Sequence, residues 1–104
     1  MTDKLLVVTT AGSEAEARKI ARALVERRLA ACVNVISRVH SVYRWQDKVE
    51  ASEEFLLLIK SERTREEQVF AAIRELHSYE LPECISIPIN GSAEYLKWIE
   101  ESVS

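Results

Sequence analysis

The chain is 104 residues long, 47% hydrophobic and 30% charged, which predicts one globular domain, residues 1–104, with a core of modest size. Its 14 Lys+Arg against 17 Asp+Glu leave a net charge of −3, with the basic residues scattered among acids. This argues against nucleic acid as a partner, because phosphate binding needs a clustered basic face.

Met1–Leu5 has no basic stretch followed by an apolar one, so no leader is expected. No apolar run approaches the roughly 18 residues of a membrane span, so no membrane partner is expected. Leu5-Leu6-Val7-Val8-Thr9-Thr10 is aliphatic and β-branched and predicts a central strand buried on both faces. Gly12-Ser13 breaks it, and Ser13 with Glu16 forms a capping box. Ala17, Ile20, Ala21, Leu24 and Val25 follow at helical spacing, the stripe of an amphipathic helix. Arg27 and Arg28 stand where the helix dipole favours cations.

Ala30 to Trp45 is rich in β-branched residues, Gln46-Asp47-Lys48 is a short turn, and Val49 to about Ser61 is a return strand; together they predict a hairpin. Thr64 with Glu67 suggests a second capping box, and Val69, Ala72, Ile73 and Leu76 an inner helical stripe. His77 falls one turn after Ile73 and is placed on or beside the buried face. Leu81-Pro82 stops the helix. Ile85, Ile87 and Ile89 alternate with Ser86, Pro88 and Asn90, a half-buried strand whose Pro88 indicates an edge. Ser92 caps a short last helix, which Tyr95 and Trp98 are expected to staple to the core.

The order predicts an α+β fold, a ferredoxin-like βαββαβ sandwich with a long hairpin between its second and third strands and a short C-terminal helix. Cys32 and Cys84 then start strands at opposite edges, and reduced thiols in a cytoplasmic protein are the expectation. A strand from Ala30 to Trp45 spans about 50 Å at ~3.3 Å per residue, whereas a helix of about 15 residues covers about 22 Å. The far half of the hairpin, with Val39, Val42, Tyr43 and Trp45, is therefore expected to pack against other copies of the chain. The alternative is a bend near Ser37-Arg38 that folds the tip back.

The blocks Ala30-Ala31-Cys32-Val33-Asn34, Ser41-Val42-Tyr43-Arg44-Trp45, Glu54 with Ile59-Lys60-Ser61, His77-Ser78-Tyr79-Glu80-Leu81-Pro82-Glu83 and Tyr95-Leu96-Lys97-Trp98-Ile99, in this order, closely resemble the CutA family of divalent-cation tolerance proteins. The resemblance implies a ferredoxin-like protomer similar to PII-type signalling proteins, a homotrimer joined through long hairpins, tolerance of copper and other divalent cations, and no catalytic activity. Of three ligand positions implied for copper, this chain keeps His77 and carries Leu76 and Thr9 at the others, with Ser78 in place of a proline.

His77 is therefore read either as a ligand that binds copper or another divalent cation weakly, or as a helix-end histidine hydrogen-bonded beneath the sheet. No metal is expected to be needed for folding. Lys60, Tyr79, Glu83 and Trp45 are candidate walls of a pocket between subunits, for a small ligand or a protein partner, or else interface contacts. Glu50, Glu53 and Glu54 are read as a solvated face. Only Gly12 and Gly91 are glycines, so no glycine-rich phosphate loop exists, and no His-x-x-x-His helix either.

Overall fold

A computed structural model describes residues 2–104. Strand β1 (Lys4–Ala11) is followed by helix α1 (Glu14–Glu26), strands β2 (Cys32–Trp45) and β3 (Lys48–Glu62), helix α2 (Glu66–Leu76), strand β4 (Ile85–Pro88) and helix α3 (Ala93–Ser102). The four strands form one antiparallel sheet in the order β2-β3-β1-β4. This is the ferredoxin-like arrangement expected from the element order, with Cys32 and Cys84 as free thiols at opposite edges.

Period-two alternation decides what each face of the sheet carries. Val7, Ala11, Leu57 and Ile59 turn toward the helices and pack with Ala17, Ile20, Leu24, Val69, Ala72 and Ile73 into the core. The Ser13 hydroxyl accepts from the Glu16 N–H at 3.2 Å, so the first capping box forms in part as expected. The second does not. Thr64 lies inside a 3-10 turn, Arg63–Arg65, and its hydroxyl donates to Glu62 at 2.9 Å, so α2 starts without a side-chain cap.

The opposite face is turned away from α1 and α2, and α3 reaches it at the Lys4 end through Glu100. Register places Leu6, Val8, Leu56, Leu58, Ile36, Ile85 and Ile87 there together. Ile85 and Ile87, expected to be half-buried, are 51% and 46% exposed because their alternation puts them on this open face. Tyr95 and Trp98 also depart from expectation. They stack on each other with ring centroids 5.3 Å apart and stay exposed, while Ile99 and Val103 hold α3 to the protein.

The hairpin runs unbroken from Cys32 to Glu62, and the molecule extends 44 Å along its longest axis. A tight turn at Gln46 and Asp47, both with left-handed backbone (φ 51° and 64°), closes it. Near Ser37-Arg38 there is a β-bulge and no fold-back: these two residues lie opposite Phe55, with Arg38 at φ 62°. The extra residue reverses the alternation that follows. Val39, Ser41, Tyr43 and Trp45 therefore share a face with Glu54, where an unbulged strand would present Arg38, His40, Val42 and Arg44.

One charged knot ties the chain ends to the sheet. The Lys4 ammonium, its side chain 5% exposed, lies 2.5 Å from Asp3, 3.1 Å from Glu62 and 3.5 Å from Glu100, joining β1, β3 and α3. The hydrogen bond to Asp3, with those to Glu62, outweighs burial and pushes the ammonium pKa up, and Lys4 in turn holds the Asp3 carboxyl low. Lys4→Met strands Glu62, 8% exposed, without a cation and is expected to lower unfolding stability by about 2 kcal/mol at pH 7. The loss should shrink as pH falls through the Asp range, since a depressed folded pKa adds stability only while the carboxylate is ionised. Urea denaturation of both proteins at pH 7 and pH 3 checks it.

Candidate functional site

The site grows from the corner where α2 ends beside the end of β1. Leu81-Pro82 keeps the helix from resuming across the turn, and the chain leaves α2 at His77, whose backbone is already extended (ψ 144°). The side chain then turns back under the corner and is fully buried. Its Nε2–H donates to the Thr10 carbonyl at 2.6 Å, and its Nδ1 accepts from the Tyr79 N–H at 3.0 Å. An N–H donor at Nδ1 fixes the neutral tautomer with the proton on Nε2.

Both ring nitrogens are thus engaged, and no lone pair is left for a metal in this arrangement. As it stands here, His77 pins the corner to β1, the arrangement of the hydrogen-bonded reading. The second anchor is Glu16 of α1, whose Oε2 accepts from the Ser78 N–H at 3.0 Å, while its buried Oε1 lies 3.6 Å from His77 Nδ1.

The pinned corner aims Tyr79 across the start of the hairpin. Its hydroxyl donates to Glu54 Oε2 at 2.7 Å. On the way the ring passes over Gly12, where an added Cβ would meet the hydroxyl oxygen at 3.0 Å. Glycine there permits the close approach. Between corner and hairpin opens a cleft of about 590 Å³. Glu54 and Thr10 lie at its base, Tyr43 and Trp45 on the hairpin side, and Tyr79, Glu80, Leu81 and Glu83 on the corner side.

Its electrostatics are one-sided. Among the described residues no Lys, Arg or His lines the cleft. Glu54 is 6% exposed, yet among the described residues its one hydrogen bond comes from a neutral phenol and it has no ion pair; the neighbouring Glu53 pairs with Arg38 instead. Burial, and then the Glu54 charge, raise the pKa of Glu83. Burial, and then the bond to Glu54, raise that of Tyr79. Among the described residues no three His, Cys, Asp or Glu side chains converge to hold a metal ion.

Of the expected pocket residues, Trp45, Tyr79 and Glu83 do line this cleft together. Lys60 does not. It shares the face of Glu54 but stands six residues along β3, about 20 Å away at ~3.3 Å per residue, and bonds the Asn34 side chain. The residues expected between copies divide: Tyr43 and Trp45 face the cleft, Val39 pairs with Glu54, and Val42 at the rim is 63% exposed. Glu54 was read with Glu50 and Glu53 as a solvated face. The signal that separates it is position, as it lies two residues before Leu56 on the same strand face.

The sequence pattern described as "CutA1 divalent ion tolerance protein" matches residues 5–102. The chain belongs to the CutA1 family. It is 44% identical over 98 residues to the divalent-cation tolerance protein CutA of Thermus thermophilus, covering 93% of this chain and 95% of that one. To that of Pectobacterium atrosepticum it is 33% identical over 104 residues, covering 99% and 94%. The crystal structure of CutA from Xylella fastidiosa superposes with a TM-score of 0.96 at 38% identity, covering 99% of this chain and all of that one. Other relatives are longer or named for other compartments. The chain spans 63% of the Xenopus laevis CutA homolog, and similar proteins include one called chloroplastic in Arabidopsis thaliana and one called periplasmic in Archaeoglobus fulgidus.

Two outcomes check this account of the corner. His77→Ala removes two hydrogen bonds and a buried ring, and is expected to cost about 2–3 kcal/mol in metal-free protein. A histidine serving only as a ligand would leave that value unchanged. A raised folded pKa at Glu83 means that stability falls as pH climbs through and above the ordinary glutamate value of 4.5. Glu83→Gln should therefore melt higher than the parent at pH 7, and the difference should vanish in thermal melts near pH 4.

Proposed function

We propose that this CutA1-family chain is a non-enzymatic homotrimer that supports tolerance of divalent cations, copper among them. Such ions bind weakly beside the His77 corner, with Glu54 and Glu83 offering oxygens and His77 holding the corner in shape. Glu54 carries the reading: a nearly buried carboxylate with a neutral partner is unfavourable until a cation arrives. Two oxygen donors without a converging third imply weak, exchangeable binding. Assembly is supported by the apolar sheet face turned away from α1 and α2 and by the overhanging hairpin, where Val42 and Val49 are 63% and 68% exposed. Free Cys32 and Cys84 suit a reducing cytoplasm.

A second reading has its own support. The cleft is large and walled by Tyr43, Trp45 and Tyr79, which suits a PII-like module that takes a small ligand or a partner protein better than it suits a bare ion.

Native mass spectrometry with and without Cu(II) separates the two. The expected result is a trimer with partial copper occupancy that Glu54→Gln abolishes. A trimer indifferent to copper favours the second reading, and a monomer removes the assembly proposal.

A further inference from the structure

The cleft between the hairpin and the His77 corner has a volume, a wall chemistry and a charge that together specify a class of ligand. Its 590 Å³ exceeds the roughly 200 Å³ of an ion with six waters, at ~30 Å³ per water. The absence of a three-donor cluster among the described residues disfavours a dehydrated metal as its sole occupant. Its lack of basic residues and its three carboxylates, Glu54, Glu80 and Glu83, disfavour anions. The aromatic walls at Tyr43 and Trp45, 44% and 40% exposed, offer π faces and apolar area. The base is a carboxylate 6% exposed whose Oε1 takes part in no hydrogen bond among the described residues.

We propose that this cleft binds a linear aliphatic diamine or triamine, with one ammonium on Glu54, the methylene chain against Trp45 and Tyr43, and a second ammonium near Glu80 and Glu83. The proposal deepens the small-ligand reading above and rests on it. An alkylammonium donates up to three hydrogen bonds, matching the open oxygen of Glu54, and the carboxylate–ammonium contact is charge-assisted. Cation–π attraction adds to it at the two aromatic faces. A monoamine would satisfy the base and leave the carboxylates at the corner uncompensated. A dication of a few carbons compensates both ends.

Isothermal titration of the full chain with 1,5-diaminopentane and with a linear triamine, at low salt and pH 7, tests the proposal. The expected result is saturable binding of one amine per chain, tighter for the triamine and weakened by salt. Glu54→Gln and, independently, Trp45→Leu should each weaken it roughly tenfold or more. Trp45 is partly exposed and outside the core, so its variant tests the wall even if Glu54→Gln perturbs the fold. Arg18→Ala, on the exposed face of α1 away from the cleft, should leave binding unchanged. No amine binding, or binding insensitive to both cleft variants, overturns the proposal. Saturable binding of a nucleotide without any amine binding overturns the amine and leaves the small-ligand reading standing. Cu(II) binding without amine binding, or a trimer whose own side chains fill the cleft, overturns both.

Discussion

The Nε2–H of His77 on the carbonyl of Thr10 is the contact on which the arrangement of the site depends. It fastens the end of α2 to the penultimate residue of β1, and through Nδ1 it orients the next turn of chain. The bond is buried with the whole imidazole, so water does not compete for it. Everything at the corner follows in order: Tyr79 is aimed over Gly12, its hydroxyl meets Glu54, and the segment to Glu83 becomes one wall of the cleft. Both ring nitrogens meet backbone partners, which gives the histidine a mechanical role at the corner.

The facing wall depends on a second local constraint, the bulge at Ser37-Arg38. A strand of period two has only two choices of face, and one inserted residue switches between them. The switch brings Tyr43 and Trp45 to the side of Glu54. Arg38 takes a left-handed backbone to achieve it, as do Gln46 and Asp47 at the turn. Non-glycine residues hold such a conformation at a cost, so the hairpin spends local strain to set its direction. An acidic, aromatic-walled cleft results at a place where neither strand alone would make one.

The open face of the sheet completes the picture. The fold puts both long helices on one side, and the other retains Ile36, Ile85 and Ile87 at roughly half exposure. Membership in the CutA1 family, with a TM-score of 0.96 to the Xylella fastidiosa protein, fixes the protomer. Two features of this chain's own side chains stand out on that protomer: the Glu54 carboxylate with its neutral partner and the exposed apolar face beside it.

The sequence alone determined the order of elements, the Ser13 cap, the core stripe of α1 apart from Val25, which is 42% exposed, the edge position of β4 and the excess length of the hairpin. These rest on local patterning: periods of two and 3.6, caps and proline. It also pointed to Lys60, Tyr79, Glu83 and Trp45 as walls of a pocket between subunits; within one chain, Trp45, Tyr79 and Glu83 line a common cleft. Tertiary structure alone decided the rest. Thr64 gave its hydroxyl to Glu62, the isoleucines of β4 turned to the open face, and Lys60 fell far from Glu54 along its own strand. Only the fold could show that both nitrogens of His77 are engaged, because their partners are the carbonyl of Thr10 on β1 and the amide of Tyr79 on a turn. A residue type fixes what a side chain can bond. Which bonds it makes depends on what the chain brings to it from far along the sequence.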